Sequence, residues 1–272
     1  MKTWTTTKIR AAKGGDPIPC LTAYDFSTAR LIDEAGIPLV LVGDSLGNTM
    51  LGFDSTIPVT LAHMIHHTTA VTRAVRQALV VADMPFMTYQ VSDEQALTNA
   101  ARLVQEGGAD AVKLEGGSVI VNRIERLVES GIPVMGHLGL TPQFVNQLGG
   151  YKVQGKNEED ARQMIDDAVA IAEAGAFSLV LECVPANLAR QITEMVPIPT
   201  VGIGAGPYCD GQVLVYHDML GLNTGRVPSF VKPYADLGNA MSNAFKQFAQ
   251  EVKDRTFPDA AHSFGMKALA NP

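Results

Sequence analysis

The sequence has few of the features that mark secreted or membrane proteins. Its 272 residues include three cysteines, Cys20, Cys183 and Cys209, whose spacing fits neither a disulfide framework nor a zinc site. No run of about 18 apolar residues occurs. The N-terminal residues lack the apolar stretch of a signal peptide. We therefore expect a cytoplasmic protein that is neither exported nor embedded in a membrane.

Basic residues are also scarce. The 21 lysines and arginines stand against 28 acidic residues, a formal net charge of −7, so neither nucleic acid nor an anionic membrane is an expected partner. A content of 46% hydrophobic and 18% charged residues excludes intrinsic disorder. The sequence predicts a globular protein, in which a compact basic site for a small acid remains possible.

Eight short apolar runs alternate with longer segments of helical period, a pattern typical of parallel strands joined by helices. Several runs are apolar on both faces, as expected of strands buried between two layers. Eight such units without a change in composition favour a single closed (β/α)8 TIM barrel over a doubly wound sheet, although spacing alone leaves both possible. The predicted strands are Ile18–Ala23, Ile37–Gly43, Leu79–Asp83, Ala111–Leu114, Pro133–Gly136, Ser178–Leu181, Pro199–Ile203 and Gln212–Tyr216.

Glycine ends several of the predicted helices just before a strand, where a positive φ is needed. The residues concerned are Gly36, Gly108, Gly131 and Gly175. A different use of glycine is predicted for residues 138–156, which are glycine-rich, lack periodicity and are long for a barrel loop; we predict that they form a lid.

An additional helix is predicted after the eighth strand. Apolar residues recur there at helical spacing, at positions 237, 241, 245, 248 and 252. We expect one domain over residues 1–272, with the barrel core at about 18–220 and the C-terminal helical extension at about 233–272.

Five successive predicted strands end in an ionisable residue, at the edge where a barrel carries its chemistry. These residues are Asp44, Asp83, Glu115, His137 and Glu182. Strand alternation places Lys113 on the same face as Glu115, and Asp44 on the same face as Val40 and Val42. Each residue alone has a structural alternative: an aspartate can cap a helix, a histidine can be a satisfied core residue, and Lys113 with Glu115 can be a simple ion pair. The set of five favours a functional site.

Clustered carboxylates at buried strand ends raise one another's pKa unless a cation neutralises them. Oxygen ligands without paired cysteine or histidine favour Mg²⁺ over Mn²⁺ or Zn²⁺. We therefore expect a bound divalent metal among the three carboxylates of strands two to four.

Several motifs together give the sequence a resemblance to the ketopantoate hydroxymethyltransferase family, which runs from about Thr22 to Pro233. These motifs are Thr22–Asp25, Val42–Gly47, Asp83–Phe86, Lys113–Gly117, Gly136–Gln143, Gly149–Gly155, Gly202–Gly206 and Cys209–Val215. The resemblance implies a barrel of the phosphoenolpyruvate/pyruvate type. It also implies hydroxymethyl transfer from 5,10-methylene-tetrahydrofolate to 3-methyl-2-oxobutanoate with Mg²⁺, giving 2-dehydropantoate (ketopantoate) for pantothenate and coenzyme A synthesis. The family resemblance further implies a homodecamer.

The resemblance assigns roles to the strand-end residues. It implies metal ligation by Asp44 and Asp83, with Glu115 binding directly or through water, and Glu182 as the proton acceptor. Contacts to the 2-oxoacid are implied for Asp44, Ser45, Asp83 and Lys113, and His137 is carried over as a contact near the hydroxymethyl end of the product. It gives no assignment for the folate pocket.

Two alternative functions remain open at this stage. One is a related Mg²⁺-dependent lyase or mutase that acts on a 2-oxoacid; those relatives carry a Lys-Lys-Cys-Gly-His loop, whereas this chain reads Lys-Leu-Glu-Gly-Gly over Lys113–Gly117. The other is a barrel that binds a metabolite without catalysis. Metal-dependent deuterium exchange into 3-methyl-2-oxobutanoate would exclude the second.

Overall fold

The structure is a computed structural model that describes residues 2–223, 225 and 227–265. Eight parallel strands pair in chain order and the last pairs with the first, so the sheet is a closed barrel. This confirms the predicted TIM barrel and excludes the open sheet, and every predicted strand overlaps an observed one. The strands are β1 (Ile18–Thr22), β2 (Leu39–Val42), β3 (Leu79–Asp83), β4 (Ala111–Glu115), β5 (Val134–Gly139), β6 (Ser178–Glu182), β7 (Thr200–Ile203) and β8 (Gly211–Leu214).

Helices alternate with the strands along most of the chain. They are α1 (Thr6–Ala11), α2 (Phe26–Glu34), α3 (Leu46–Thr49), α4 (Leu61–Ala74), α5 (Asp93–Gln105), α6 (Val121–Glu129), α7 (Val145–Leu148), α8 (Glu158–Glu173), α9 (Ala186–Met195), α10 (Tyr216–Met219) and α11 (Leu237–Lys253). Short 3-10 helices occupy Ser118–Ile120, Pro142–Phe144 and Ala260–His262.

One predicted βα unit is incomplete. Residues 204–210, all of them described, join β7 to β8 without a helix, so the expectation of eight complete units is wrong at this point. The segment is too short for a crossover helix. Gly204 and Gly206 adopt left-handed φ values of 63° and 77°, which turn the chain directly back to the sheet.

The predicted glycine junctions are confirmed. Gly36, Gly108, Gly131 and Gly175 have φ values of 79°, 76°, 87° and 96°, each at the end of a helix that leads into a strand. A residue with a Cβ atom would be strained in this conformation. The same turn chemistry therefore starts β2, β4, β5 and β6.

The barrel interior is filled by apolar residues from the first half of the strands. Leu39, Leu41, Val81 and Met135 belong to this cluster, together with Ile9 of α1, and all five are buried. Because residues two apart on a strand share a face, the next inward position on each strand lies at the carboxyl end of the barrel. The inward packing of these apolar residues thus determines which later residues of each strand face the interior at the carboxyl end of the barrel.

The chain divides into two compact units, Met1–Tyr216 and His217–Pro272. The first contains the whole barrel. The second contains α11, which confirms the predicted C-terminal helix, although its apolar stripe is exposed and residues 266–272 of the predicted extension lie outside the described residues. In the described part of the chain, no helix has the length and apolar character needed to cross a membrane.

The carboxylate of Asp33 links α2 to the start of β3. It is buried and accepts hydrogen bonds of 2.8 to 3.2 Å from the backbone N–H groups of Arg76, Gln77 and Ala78. We expect Asp33→Ala to lower the free energy of unfolding by about 3 kcal/mol, because three N–H groups, of which that of Ala78 is buried, lose a charged acceptor. Urea denaturation measures this, with Asp16→Ala at an exposed position as the control. Equal stabilities of the two variants would contradict the role of Asp33.

Candidate active site

The strand register brings the predicted site residues side by side. Asp83 is the register partner of Lys113, and Glu115 is the partner of His137. Two positions earlier on the same strands stand Val81, Ala111 and Met135, and two before Glu182 stands Val180; all four belong to the cluster inside the barrel. Asp83, Lys113, His137 and Glu182 therefore face the barrel interior at its carboxyl end, as predicted.

Asp44 reaches the site by a different route from the one that alternation suggests. Leu39 and Leu41 point into the barrel, so Val40 and Val42 point outward, and simple alternation would place Asp44 with them. β2 ends at Val42, however, and the chain turns before it enters α3. The backbone N–H of Asp44 then donates to Asp83 Oδ2 at 3.0 Å, and its side chain is buried beside β4. The alternation argument was wrong for Asp44, but the residue still belongs to the site.

Lys113 is the cation at the centre of the site. Its ammonium group is buried and lies 3.3 Å from Asp83 Oδ2, 3.5 Å from Glu115 Oε1 and 3.0 Å from His137 Nδ1. Burial opposes the charge of this group, but Asp83 and Glu115 outweigh it and raise the pKa of Lys113 above its usual value. The lysine is therefore a permanent positive charge inside the barrel.

Gln143 is a member of the site that sequence reasoning assigned to the lid. It is buried in the 3-10 helix that follows β5, and its side-chain amide donates to Asp44 Oδ2 at 2.9 Å. Its backbone N–H donates to Glu115 Oε2 at 3.1 Å. The beginning of the 138–156 segment is thus a wall of the site, and only the later residues, such as the exposed Tyr151, remain available for a lid. The motif Leu-Thr-Pro-Gln, with proline starting a turn, was the available signal.

Glu182 contacts the site through His137. His137 Nε2 is 3.3 Å from Glu182 Oε2, and the Glu182 side chain keeps 18% of its surface exposed, against 3% or less for Asp83 and Glu115. Cys183 adopts a φ of 49°, rare for a residue other than glycine, so the chain turns away directly after Glu182. Of these carboxylates, Glu182 is the one most open to an incoming molecule.

Ser45 is positioned by Tyr24, which sequence analysis did not select as a site residue. Its hydroxyl lies 2.8 Å from the hydroxyl of Tyr24, which is completely buried. Ser45 itself is partly exposed and directly follows Asp44, so it borders the carboxylate cluster. A hydroxyl held in this way can donate a hydrogen bond to an anionic ligand.

The site holds more negative charge than its lysine neutralises. Burial, Glu115 and Asp83 raise the pKa of Asp44 well above its usual value, and burial is also the main cause that raises the pKa of Asp83. For Glu115, Lys113 and His137 outweigh burial and lower the pKa. Burial and Lys113 oppose the charge of His137, yet Glu115 and Glu182 raise its pKa to about 8. The raised pKa values of Asp44, Asp83 and His137 therefore mean that this site favours binding of a proton or another cation.

The three carboxylates predicted as metal ligands are neighbours but do not form a ready-made cage. Among residues 2–223, 225 and 227–265, no group of three or more His, Cys, Asp or Glu side chains is arranged to hold a metal. Lys113 lies between Asp83 and Glu115, and Gln143 lies between Asp44 and Glu115. Asp83 Oδ1 is nevertheless buried without a hydrogen-bond partner. An unpartnered carboxylate oxygen fits Mg²⁺, which proteins commonly bind through one or two carboxylates while substrate and water complete the shell.

Known proteins match this chain over nearly its whole length. A family model described as ketopantoate hydroxymethyltransferase matches residues 3–260. A 3-methyl-2-oxobutanoate hydroxymethyltransferase of Thermoanaerobacter pseudethanolicus is 56% identical over 270 residues, which cover 99% of this chain and 98% of the relative. The protein of the same name from Carboxydothermus hydrogenoformans is 58% identical, with coverage of 93% and 92%.

Solved structures of similar fold are more distant. A phosphonopyruvate hydrolase in complex with oxalate and magnesium has a TM-score of 0.62 at 12% identity, covering 96% of this chain and 93% of that one. A 2,3-dimethylmalate lyase, described as a member of the phosphoenolpyruvate mutase/isocitrate lyase superfamily, has a TM-score of 0.57 at 18% identity, with coverage of 98% and 92%. At these identities the likeness shows the fold alone, a (β/α)8 barrel.

Proposed function

The chain belongs to the ketopantoate hydroxymethyltransferase family, and from this we propose that it transfers a hydroxymethyl group from 5,10-methylene-tetrahydrofolate to 3-methyl-2-oxobutanoate, giving ketopantoate for pantothenate and coenzyme A synthesis. The observation that carries the proposal is the buried Lys113 in the barrel mouth between the carboxylates of Asp83 and Glu115. Such a site combines one fixed cation for an anionic substrate with acidic groups that can bind metal or accept a proton.

Binding of the 2-oxoacid falls to the positive and hydrogen-donating groups. The Lys113 ammonium attracts the negative charge of the substrate, first on its carboxylate and then on the keto oxygen as the C3 proton leaves. The partly exposed Ser45 hydroxyl donates a hydrogen bond to the same anion. His137, at 3.0 Å from Lys113, borders the end of the substrate that receives the new carbon.

Asp44 and Asp83 are the proposed ligands of Mg²⁺, and Glu115 is proposed to act through a water molecule. Glu115 is the less suited to direct contact because its two oxygens already face the Gln143 N–H, Lys113 and His137. Bound there, the ion supplies a Lewis acid that withdraws electrons from the keto group. Asp83 Oδ1, buried without a partner, is the oxygen that such an ion would satisfy.

Glu182 is the proposed base that removes the C3 proton. A base must reach the substrate carbon and must not be occupied by other contacts. Glu182 is the most open of the site carboxylates and touches His137, whereas Asp83 accepts from Asp44 and Lys113, and Glu115 from Gln143. One water molecule releases the one-carbon unit from 5,10-methylene-tetrahydrofolate as formaldehyde, with both C–N bonds broken and tetrahydrofolate as the leaving group. The carbon nucleophile then adds to this carbon, and the carbonyl oxygen takes back the proton held by Glu182 to become the new hydroxyl group. Residues 149–156, the part of the predicted lid that is not a wall of the site, are proposed to exclude bulk water beyond the one molecule that the reaction consumes.

The proposal extends to a cytoplasmic homodecamer. Its supports are the family resemblance and the three cysteines, which are free in the structure, as in a reducing compartment. Measurement of the native mass in solution would decide the number of subunits.

Product formation tests the proposed reaction directly. With 3-methyl-2-oxobutanoate and 5,10-methylene-tetrahydrofolate, we expect ketopantoate to form in the presence of Mg²⁺. A chelator such as EDTA should lower the rate at least about 100-fold, because the surplus carboxylate charge then lacks the ion and the keto group its Lewis acid. Chromatography with mass detection measures the product.

The control for the EDTA experiment is the return of Mg²⁺. Addition of Mg²⁺ in excess of the chelator should restore the rate, which excludes irreversible loss of the fold. Ketopantoate formation that continues unchanged in EDTA would contradict the metal, and no ketopantoate under any condition would contradict the reaction.

A further inference from the structure

Gln143 uses every hydrogen-bonding position of its side chain inside the barrel mouth. The amide nitrogen donates to Asp44 Oδ2 and to the Met84 carbonyl, both at 2.9 Å. The amide oxygen accepts from the Tyr89 hydroxyl at 2.8 Å and from Gln90 Nε2 at 3.3 Å. An amide has two donors and two accepting lone pairs, so this set is complete.

The partners also fix which way the amide points. The Met84 carbonyl can only accept, and so can the ionised Asp44 carboxylate that a metal would bind, so an amide turned by 180° would place its oxygen against two acceptors. Tyr89 is completely buried, and its hydroxyl also accepts from the Glu115 backbone N–H at 3.2 Å, which ties it to β4. The donor end of Gln143 is therefore held toward Asp44.

We infer that Gln143 is a positioning residue, which orients the carboxylates of Asp44 and Glu115 for a divalent cation. It separates two like charges and gives each a hydrogen bond, from the side chain to Asp44 Oδ2 and from the backbone to Glu115 Oε2. Asp44 lies past the end of β2, so the strand does not orient its side chain. With Oδ2 engaged by Gln143, Oδ1 is the oxygen of Asp44 that is left for a cation, as Asp83 Oδ1, buried without a hydrogen-bond partner, is that of Asp83.

Tyr89 supports both carboxylates in this arrangement. Its hydroxyl proton has two acceptors, the Gln143 amide oxygen at 2.8 Å and the Glu115 backbone carbonyl at 3.0 Å. It therefore acts on Asp44 through Gln143 and on Glu115 through the backbone of β4. The inference deepens the proposed function, since it concerns the metal that the proposed reaction uses. It predicts an effect on cation binding that is separate from any effect on folding.

The test is a titration with Mn²⁺, an ion that the same oxygen ligands bind and whose free form is counted by electron paramagnetic resonance. For Gln143→Leu we expect the dissociation constant to rise about 10- to 100-fold, the usual effect of removing a group that orients a ligand. For Tyr89→Phe we expect about a fivefold rise, because the neutral hydrogen bonds of the hydroxyl to the Gln143 amide and to the Glu115 backbone are lost. Gln95→Leu on α5 makes the same chemical change outside the site and should leave the constant unchanged.

Melting temperatures in EDTA distinguish positioning from a purely structural role. If the side chain only supports the fold, Gln143→Leu has a lower melting temperature than the parent, but its Mn²⁺ dissociation constant stays within about threefold of the parent value. That outcome overturns the inference. If Gln143→Leu does not fold, Tyr89→Phe decides, since unchanged Mn²⁺ binding there overturns the inference equally. A parent protein that binds no Mn²⁺ would also overturn it. Failure of the proposed function has a different signature: tight, Gln143-dependent Mn²⁺ binding with no ketopantoate formed.

Discussion

Glu182→Gln is expected to slow the exchange of the C3 proton of 3-methyl-2-oxobutanoate with solvent by about 10²- to 10⁴-fold, the range lost when a general base is removed. Glutamine has the same shape and can keep the contact to His137 at 3.3 Å, but its amide cannot accept a proton from carbon. Binding of the 2-oxoacid should change little, because Lys113 and Ser45 remain. The expected pattern is a low kcat with a nearly unchanged KM.

The exchange reaction isolates the role of Glu182 from the later steps. Deuterium uptake at C3 in the absence of folate, followed by proton NMR, reports proton removal alone. The matched control is Glu194→Gln, the same change on an exposed position of α9, the helix that follows β6; its exchange rate should equal that of the parent. Exchange by Glu182→Gln at the parent rate would make the base assignment wrong, whereas loss of transfer with intact exchange would assign Glu182 to a step after proton removal.

The barrel and most of its strand-end residues could be predicted because they follow from short-range rules. Buried parallel strands are apolar on both faces, so a charged residue at the end of such a run stands out, as Asp83, Glu115 and Glu182 do. Their burial on one face then follows from the two-residue period of the strand. In each case the information lies within a few residues of the chain.

The parts that could not be predicted depend on contacts between distant segments. Gln143 lies 99 positions from Asp44, in a stretch without periodicity, and the Leu-Thr-Pro-Gln motif marks a turn there but not which residues the turn contacts. Tyr24 is a similar case, since it belongs to the site only through the contact of its hydroxyl with that of Ser45, which lies in a different segment. Asp44 was correctly selected as a site residue, but alternation placed its side chain on the face of Val40 and Val42. That placement was wrong because the chain turns after Val42, where strand alternation no longer applies. For a residue beyond the end of a strand, the sequence therefore predicts a role from its side-chain chemistry but not the face to which that side chain points.

Lys113→Met is expected to lower the free energy of unfolding by about 3 to 5 kcal/mol when no metal is present. Lys113 contacts both Asp83 and Glu115, and all three side chains are 4% exposed or less. Methionine has a similar volume but leaves two buried carboxylates without their cation. Chemical denaturation in EDTA measures the loss. Lys156→Met, at an exposed position, should change stability by no more than about 0.5 kcal/mol.

A second substitution separates lost charge balance from lost packing. If Lys113→Met destabilises by leaving Asp83 and Glu115 unneutralised, then Lys113→Met/Asp83→Asn should recover a large part of the loss, because one uncompensated charge disappears while the packing defect stays. Equal stability of the single and the double variant would instead assign the loss to packing. Ketopantoate formation should remain absent in both, since the double variant regains the net charge of the parent but not the ammonium that attracts the substrate or the Asp83 carboxylate proposed to bind Mg²⁺. Restored stability without restored activity would mean that the barrel folds without the Lys113–Asp83 ion pair, and that this pair is retained for chemistry and not for folding.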